Sequence, residues 1–589
     1  MDNNFKNMLS DRLGMFVHYG LYSSFGGRYK GRAIEGLGEW IQRHAEIPIS
    51  EYVDFARENF CPAPDFARNL VKRAKDAGMR YVVLTSKHHD GFCLFKSEAD
   101  SYNAYDFFGR DLCREVVDAC REEGLEVGFY YSHALDWHER NAGGNHTLSH
   151  PDVDIKNRNY WDFPDNNIDY EEYFRRKCLP QVRELLTNYG ELKCIWFDYP
   201  HDINYEQSRE LRELVKELQP NCLINSRIGH GLCDYYSLGD NCLPTAPARV
   251  PTECLITLNE TWGYKIDDRN YKSASRVIEI LCRAMSTDST LLVNVGPMSD
   301  GSLTEETVTI LSDLSEWTGR NSEAIYGNIE ANPFKCVFPW GYVSLGESAL
   351  YLYLNDEAKS LSLSGIKRAP KSVSILGGEK IEFGFADERL SFEMPENRPT
   401  RPVIRVEFDG APELSREIEI DSTRSSLLAA SAVRSSKRCP EKCEPLLHQY
   451  DVELGDFGKR GTSLSRVDTV HHWESEDDVL AWDVNFLECG EYEAEIVSAE
   501  PSFETYCSRP DEDTPCTLSV GEMTNSALSG IKYTYNASAS STNLRHVRDG
   551  GVFRIDRAGK YRVRLSKDTD ALGIGVIEVR FKKTEGGKI

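Results

Sequence analysis

The 589-residue chain has no uninterrupted apolar run of about 18 residues, the length a membrane-crossing helix needs. Its start, Met1 to Asn7, lacks the basic-then-apolar pattern of a secretory leader. Both absences lead to the expectation of a soluble, cytoplasmic protein with no membrane partner. Positive charge is also short: 69 Lys and Arg against 94 Asp and Glu leave a net charge of −25, which disfavours nucleic acid as a partner. Neutral or cationic substrates fit better. A disulfide framework is missing too, because the 17 cysteines are odd in number, scattered, and mostly set in apolar runs (Cys113, Cys120, Cys178, Cys194, Cys282). No glycine-rich phosphate turn follows the first candidate strand, and no His-x-His pair or HExxH helix puts two imidazoles on one metal ion.

What is present from residue 14 to about 327 is an alternation of short apolar runs with amphipathic segments. Candidate strands run from Gly14 to Tyr19, Tyr81 to Ser86, Glu126 to Ser132, Lys193 to Asp198, Leu223 to Arg227, Val250 to Cys254 and Leu291 to Val295. Helical patterns lie between them, from Asp65 to Ala77, Asp111 to Glu123, Tyr170 to Tyr189, Tyr205 to Leu218, Ser273 to Met285 and Glu305 to Ala324. The first two stop at Gly78 and Gly124, where a left-handed residue ends a helix. Such repetition predicts an α/β fold, a (β/α)8-like (TIM-type) barrel over residues 1–328, whose mouth is formed by the C-terminal strand ends. His18, His88, His89, Tyr131, Asp198, Arg227 and Glu253 are placed at those ends.

After Gly327 the texture changes to short alternating strands, which predicts an antiparallel β-sandwich over 329–412. The polar stretch 413–447 reads as a linker, and 448–589 as a second β-sandwich, with carbohydrate binding or plain packing as its role. Within it, the segments from Ala481 to Val497 and from Val552 to Leu565 share an outline of strand, Gly turn, aromatic and strand, and read as hairpins. Trp473 and Trp482 read as core residues rather than ligand platforms.

Chemistry is carried first by the histidines. Adjacent residues on a strand point to opposite faces, so His88 and His89 are not read as a metal pair, and no metal or cofactor is expected. Imidazoles suit a polyol instead, because hydroxyls both donate and accept. His133 and His138 read as satisfied barrel residues. Asp198 closes the apolar run Cys194-Ile195-Trp196-Phe197, where an unpaired buried carboxylate would cost several kcal/mol; it is therefore partnered or used. Glu253 sits among apolar neighbours in the same manner. Two carboxylates with Trp40, Trp196 and Trp262 as platforms are the equipment of glycoside hydrolysis, in which about 5 to 5.5 Å between carboxyls means retention of configuration. Sequence spacing leaves that separation open. Two other readings stay open as well: a sugar-binding protein on an inactive barrel, and a metal-dependent hydrolase.

Seven segments then resemble one family, in its order. They are Gly14-Met15-Phe16-Val17-His18-Tyr19-Gly20, Gly38-Glu39-Trp40, Ser86-Lys87-His88-His89-Asp90-Gly91-Phe92, Tyr130-Tyr131-Ser132, Trp196-Phe197-Asp198, Thr261-Trp262-Gly263-Tyr264 and Asn294-Val295-Gly296-Pro297. This set resembles the α-L-fucosidases of glycoside hydrolase family 29 over residues 10 to 327. The resemblance implies a metal-free retaining exo-hydrolase that takes terminal α-L-fucose from fucosylated oligosaccharides or glycoconjugates. It implies Asp198 as nucleophile and Glu253 as acid/base, with Glu260 as the rival, and a fucose pocket of His18, Trp40, His88, His89, Tyr131, Trp196, Arg227 and Trp262. Glu39 is expected to be structural or to orient a pocket histidine. Tyr199 stands where a smaller residue is common in the family, on the leaving-group side.

Overall fold

A computed structural model describes residues 8, 10–142, 159, 161–163, 169–200, 203–244, 247, 251–436, 439–445, 478–499, 515–528, 530–536, 544–567 and 575–584. Eight parallel strands form the first sheet: β1 (Leu13–Val17), β2 (Tyr81–Lys87), β3 (Glu126–Ser132), β4 (Cys194–Asp198), β5 (Leu223–Ile224), β6 (Tyr236–Ser237), β7 (Thr252–Thr257) and β8 (Thr290–Val295). Their order is β5-β4-β3-β2-β1-β8-β7-β6, and a parallel bridge between Asn225 and Tyr235 joins its two end strands into a ring. This is the predicted barrel. Its weakest seam lies between β5 and β6, each two residues long. The strand β6 escapes a sequence reading because two residues make no apolar run.

Helices pack outside, as their stripes require. Leu112–Glu123 is capped at its start by the Asp111 side chain, which accepts the Arg114 N–H, and ends at Gly124 with φ of 69°. The long pattern from Tyr170 is broken by a π-helical turn over Phe174–Cys178 before Leu179–Asn188 resumes, with a proline in its first turn. Pro180 has no N–H to give the preceding turn.

One register matters for the site. The expected strand from Val250 to Cys254 is instead β7, Thr252–Thr257. Glu253 pairs with Thr290, the first residue of β8, and so lies near the N-terminal ends of the strands. Asp198 pairs with Ser132, the last residue of β3, at the opposite end.

Beyond the barrel, a four-stranded antiparallel sheet (Gly341–Leu345, Ala349–Leu354, Val403–Glu407, Ser372–Ile375) faces a three-stranded one (Ser360–Ser364, Arg389–Glu393, Phe383–Ala386) over a core of its own. Tyr351 and Tyr353 of this sheet join the barrel core, and Tyr353 Oη donates to the Ala324 carbonyl of helix Glu305–Ile325 at 2.7 Å. Over its described residues, the stretch read as a linker is structured. Ile418–Ile420, Ser426–Leu428, Val433–Ser436 and Cys439–Pro445 are strands that pair into the two sheets of the C-terminal sandwich. Their polar sequence hid them. The expected hairpins are also corrected: Asp478–Phe486 pairs with Gly559–Lys567, while Gly490–Ala499 pairs with Leu544–Ile555. The turns at Gly490 and Gly559, with φ of 146° and 149°, carry the chain from one sheet to the other. Trp482 is core, its Nε1 donating to the Leu428 carbonyl at 2.9 Å; Trp473 lies outside the described residues. Among the described residues no disulfide is formed by the cysteines whose side chains are described, and most of these are buried. Among the described residues no helix is long and apolar enough to cross a membrane.

Candidate active site

Asp198, the last residue of β4, is the centre of the barrel mouth. Its Oδ2 accepts from Tyr130 Oη at 2.8 Å and its Oδ1 from Arg227 Nη1 at 3.0 Å, while His89 Nε2 lies 3.8 Å from Oδ2. Burial works to raise this carboxyl, but the Arg227 guanidinium, His89 and the Tyr130 hydrogen bond outweigh it and hold the group below the usual carboxylate range. At neutral pH it is an anion. His133 Nδ1 pairs with the Asp198 backbone carbonyl at 2.7 Å and so fixes the main chain rather than a ligand. Tyr199 follows with φ of 61°, a left-handed backbone uncommon for a bulky residue, and sets its ring near His89 and Trp40.

Arg227 lies one turn beyond β5, and its fork is shared. The second nitrogen, Nη2, donates to Asp240 Oδ1 at 2.5 Å, so one guanidinium holds two carboxylates side by side across the β5–β6 seam. Its charged carbon rests 4.9 Å from the Trp196 ring. Sequence reading misses Asp240 because it stands between Gly239 and Asn241 and does not end an apolar run; the parallel order of β5 and β6 is what brings it in.

The histidines converge. Strand β2 ends at Lys87, so His88 and His89 lie in the turn beyond it and do not alternate; their rings are 4.2 Å apart and His18 is 5.6 Å from His88. His18 Nδ1 meets Asn294 Oδ1 at 2.6 Å, and His89 Nδ1 meets Ser132 Oγ at 2.7 Å. Burial pushes His18 down to about 3 and His89 to about 4, and lowers His88 well below its ordinary value. All three are neutral imidazoles. His88 Nδ1 has no protein partner. His138, by contrast, stacks on Tyr102 at 3.8 Å and takes no part.

Aromatic walls complete the mouth. Trp40 touches His89 and Trp137, and Trp262 lies 5.2 Å from His18. The Gly38 N–H donates to Thr261 Oγ1 at 2.7 Å, tying the Trp40 turn to the Trp262 loop. Glu39 bridges the same two loops: its Oε2 accepts from the Gly263 N–H at 2.8 Å and from Thr261 Oγ1 at 3.1 Å. It bonds no histidine, its Oε1 is buried without a partner, and burial raises it to about 7.

Two expected residues are elsewhere. Tyr131 points out of the barrel, donating to Gln181 Oε1 at 2.8 Å; its neighbour Tyr130, in register with Trp196, is the tyrosine of the site. A one-residue shift of parity separates them. Glu253 lies below the Trp196 ring, with Oε1 accepting from Trp196 Nε1 at 2.8 Å and Oε2 from Tyr81 Oη at 3.2 Å. It does not meet Asp198. Glu260 is exposed on its loop and accepts from Asn270 Nδ2 at 2.8 Å. Among the described residues no group of three His, Cys, Asp or Glu is arranged to hold a metal ion.

An anionic aspartate at a barrel strand end, a second carboxylate on the same arginine, and neutral imidazoles between tryptophans define the class: a barrel glycoside hydrolase. The chain belongs to the alpha-L-fucosidase family, whose family model matches residues 2–323. It is similar to the alpha-L-fucosidase structure from Vibrio sp. strain EJY3, at 25% identity and a TM-score of 0.78 over 98% of each chain. A trapped covalent intermediate of an alpha-L-fucosidase from Bacteroides thetaiotaomicron, in complex with 2-fluoro-fucosyl fluoride, shares 26% identity and a TM-score of 0.60 over 69% of this chain and 96% of that one. Alpha-L-fucosidase 1 of Arabidopsis thaliana is 26% identical over 294 residues, 44% of this chain and about half (52%) of that protein.

Proposed function

We propose that the chain is a retaining exo-α-L-fucosidase acting on terminal fucose of neutral glycans. The observation that carries this is Asp198 itself, an anion with one donor on each oxygen, at the mouth of a barrel of this family. In the first step an Asp198 oxygen attacks the anomeric carbon, the glycosidic C–O bond breaks, and the leaving oxygen takes a proton. In the second, water attacks the fucosyl ester, gives up a proton, and Asp198 leaves as carboxylate. Asp240 is the proposed proton donor and acceptor for both steps, because Arg227 holds it beside Asp198 while Glu253 lies under Trp196.

His18, His88 and His89, being neutral, pair with sugar hydroxyls, and Glu39 Oε1, which has no protein partner, is a hydrogen-bond acceptor for another hydroxyl. Trp262 and Trp40 cover the apolar face and the methyl group. A methyl contact is worth only about 1 to 3 kcal/mol, so rejection of other sugars comes from hydroxyl partners left unpaired by the wrong epimer. The test is hydrolysis of 4-nitrophenyl α-L-fucoside by wild type and by Asp198→Gly, with azide added to the variant. Wild-type turnover, a nearly inactive variant and rescue to the β-fucosyl azide are expected. A wild type that binds fucose and releases nothing would make the barrel a lectin.

A further inference from the structure

Glu253 is a buried carboxylate that the proposed mechanism does not use, and its contacts lead straight to the nucleophile. Its Oε1 holds Trp196 Nε1 at 2.8 Å, and Tyr81 Oη fixes its other oxygen. The Trp196 indole lies against the Phe16 ring, 5.1 Å away, and against two groups that carry donors. Tyr130 stacks on it, with ring centroids 5.7 Å apart at 18°, and the Arg227 guanidinium carbon sits 4.9 Å from it. These are the two groups that donate to Asp198, one to each oxygen. A shelf that carries both donors must itself be held in rotation about its own long axis, and the indole N–H is its polar handle.

We infer that Glu253 is a positioning residue that, through the Trp196 indole, sets Tyr130 and Arg227 and thereby the geometry and charge of Asp198. The inference rests on the fucosidase reading above and assigns Glu253 a part in nucleophilic attack rather than in leaving-group protonation. The alternative is that Glu253 merely satisfies an indole N–H in the barrel core. Burial raises its carboxyl to about 7, and either protonation state leaves an oxygen to accept from the indole.

Three variants separate these roles, with folding checked by circular dichroism. Glu253→Gln keeps an acceptor for the indole and retains kcat within about threefold. Glu253→Leu and Trp196→Phe both lower kcat about tenfold or more on fucosides with good and poor leaving groups alike, with KM little changed, and azide rescues neither. The acidic limb of kcat/KM in both moves up by about one unit, because the Asp198 carboxyl, facing Arg227, Tyr130, His89 and His18, is no longer held as an anion by aligned donors. The double variant is no worse than the poorer single one. An unmoved acidic limb with unchanged kcat in both Glu253→Leu and Trp196→Phe overturns the inference and leaves a core role; losses confined to poor leaving groups, with azide rescue of Glu253→Leu, overturn it in favour of acid/base catalysis. If Glu253→Leu does not fold, Trp196→Phe against Glu253→Gln decides by the same readouts. No turnover by wild type defeats the fucosidase reading and the inference together; turnover with an unaffected Trp196→Phe defeats the inference alone.

Discussion

The fork of Arg227 joins the two carboxylates on which the proposed chemistry depends. Lysine carries the same charge but only one ammonium, and cannot hold Asp198 and Asp240 in a fixed plane. Arg227→Lys is therefore expected to lower kcat by about 10²-fold while the fold persists, read by steady-state kinetics with a thermal melt as control. Asp240→Ala is expected to spare aryl fucosides with good leaving groups far more than oligosaccharides, since only the latter need protonation; equal losses would remove Asp240 from the acid/base role. A third residue-scale expectation concerns stability. Burial raises Glu253 from 4.5 to about 7, so the folded state binds its proton more tightly than the unfolded chain does. The associated stability is present in full below about pH 4.5 and is lost as pH rises through about 7. Glu253→Gln has no proton to lose, and should gain on wild type by up to about 3 kcal/mol between pH 4.5 and 7 in urea unfolding. A difference that does not vary with pH contradicts the shift.

At the scale of elements, the β5–β6 seam and the His88–His89 turn decide how firmly the site is held. Asp234 closes the seam: its carboxylate accepts from the Ile224 N–H at 2.9 Å and pairs with Arg212 and Lys216. Arg227 and Asp240 leave the two strands just above it. The turn is backed by a buried network in which Lys87 and Lys177 share Asp136, and a Cβ on Gly91 would fall 2.0 Å from Asp136 Oδ1 at a φ of 79°. Gly91→Ala should therefore lose activity and about 2 kcal/mol or more of stability, measured on one preparation by kinetics and denaturation. Normal activity would mean that the turn is not set by this network. Barrel strands and helices were legible because apolar runs and stripes announce them. Asp198, the proposed nucleophile, is legible as a partnered or working carboxylate because an acidic residue ends an apolar run. Parity and strand ends are not written in an apolar run, so the sequence points to Tyr131 where the barrel presents Tyr130, and to the mouth for Glu253 where the register sets it near the opposite strand ends. Asp240 and β6 depend on closure of the ring, a contact between distant segments that no local pattern encodes.

The whole molecule has two kinds of junction. The first sandwich shares a core with the barrel through Tyr351, Tyr353, Leu376 and Val403. The C-terminal sandwich keeps its own core and meets the first through polar pairs, with Arg389 to Asp421 at 3.0 Å and the Ser364 hydroxyl to Asp421 at 3.2 Å. Apolar continuity couples unfolding and a polar junction does so weakly, so calorimetry should show the barrel and first sandwich melting together and the C-terminal sandwich separately. A fucose-like ligand should raise the first transition and leave the second in place. One transition shifted as a whole would show that the polar junction is as cooperative as the core. The most direct test of the central claim is to inactivate the full chain with 2-fluoro-fucosyl fluoride and locate the adduct by peptide mass spectrometry. A single fucosyl ester on Asp198, lost on turnover and absent from Asp198→Gly, is the predicted result. Inactivation without an ester, or an ester on Asp240 or Glu253, would contradict the assignment of Asp198 as the nucleophile.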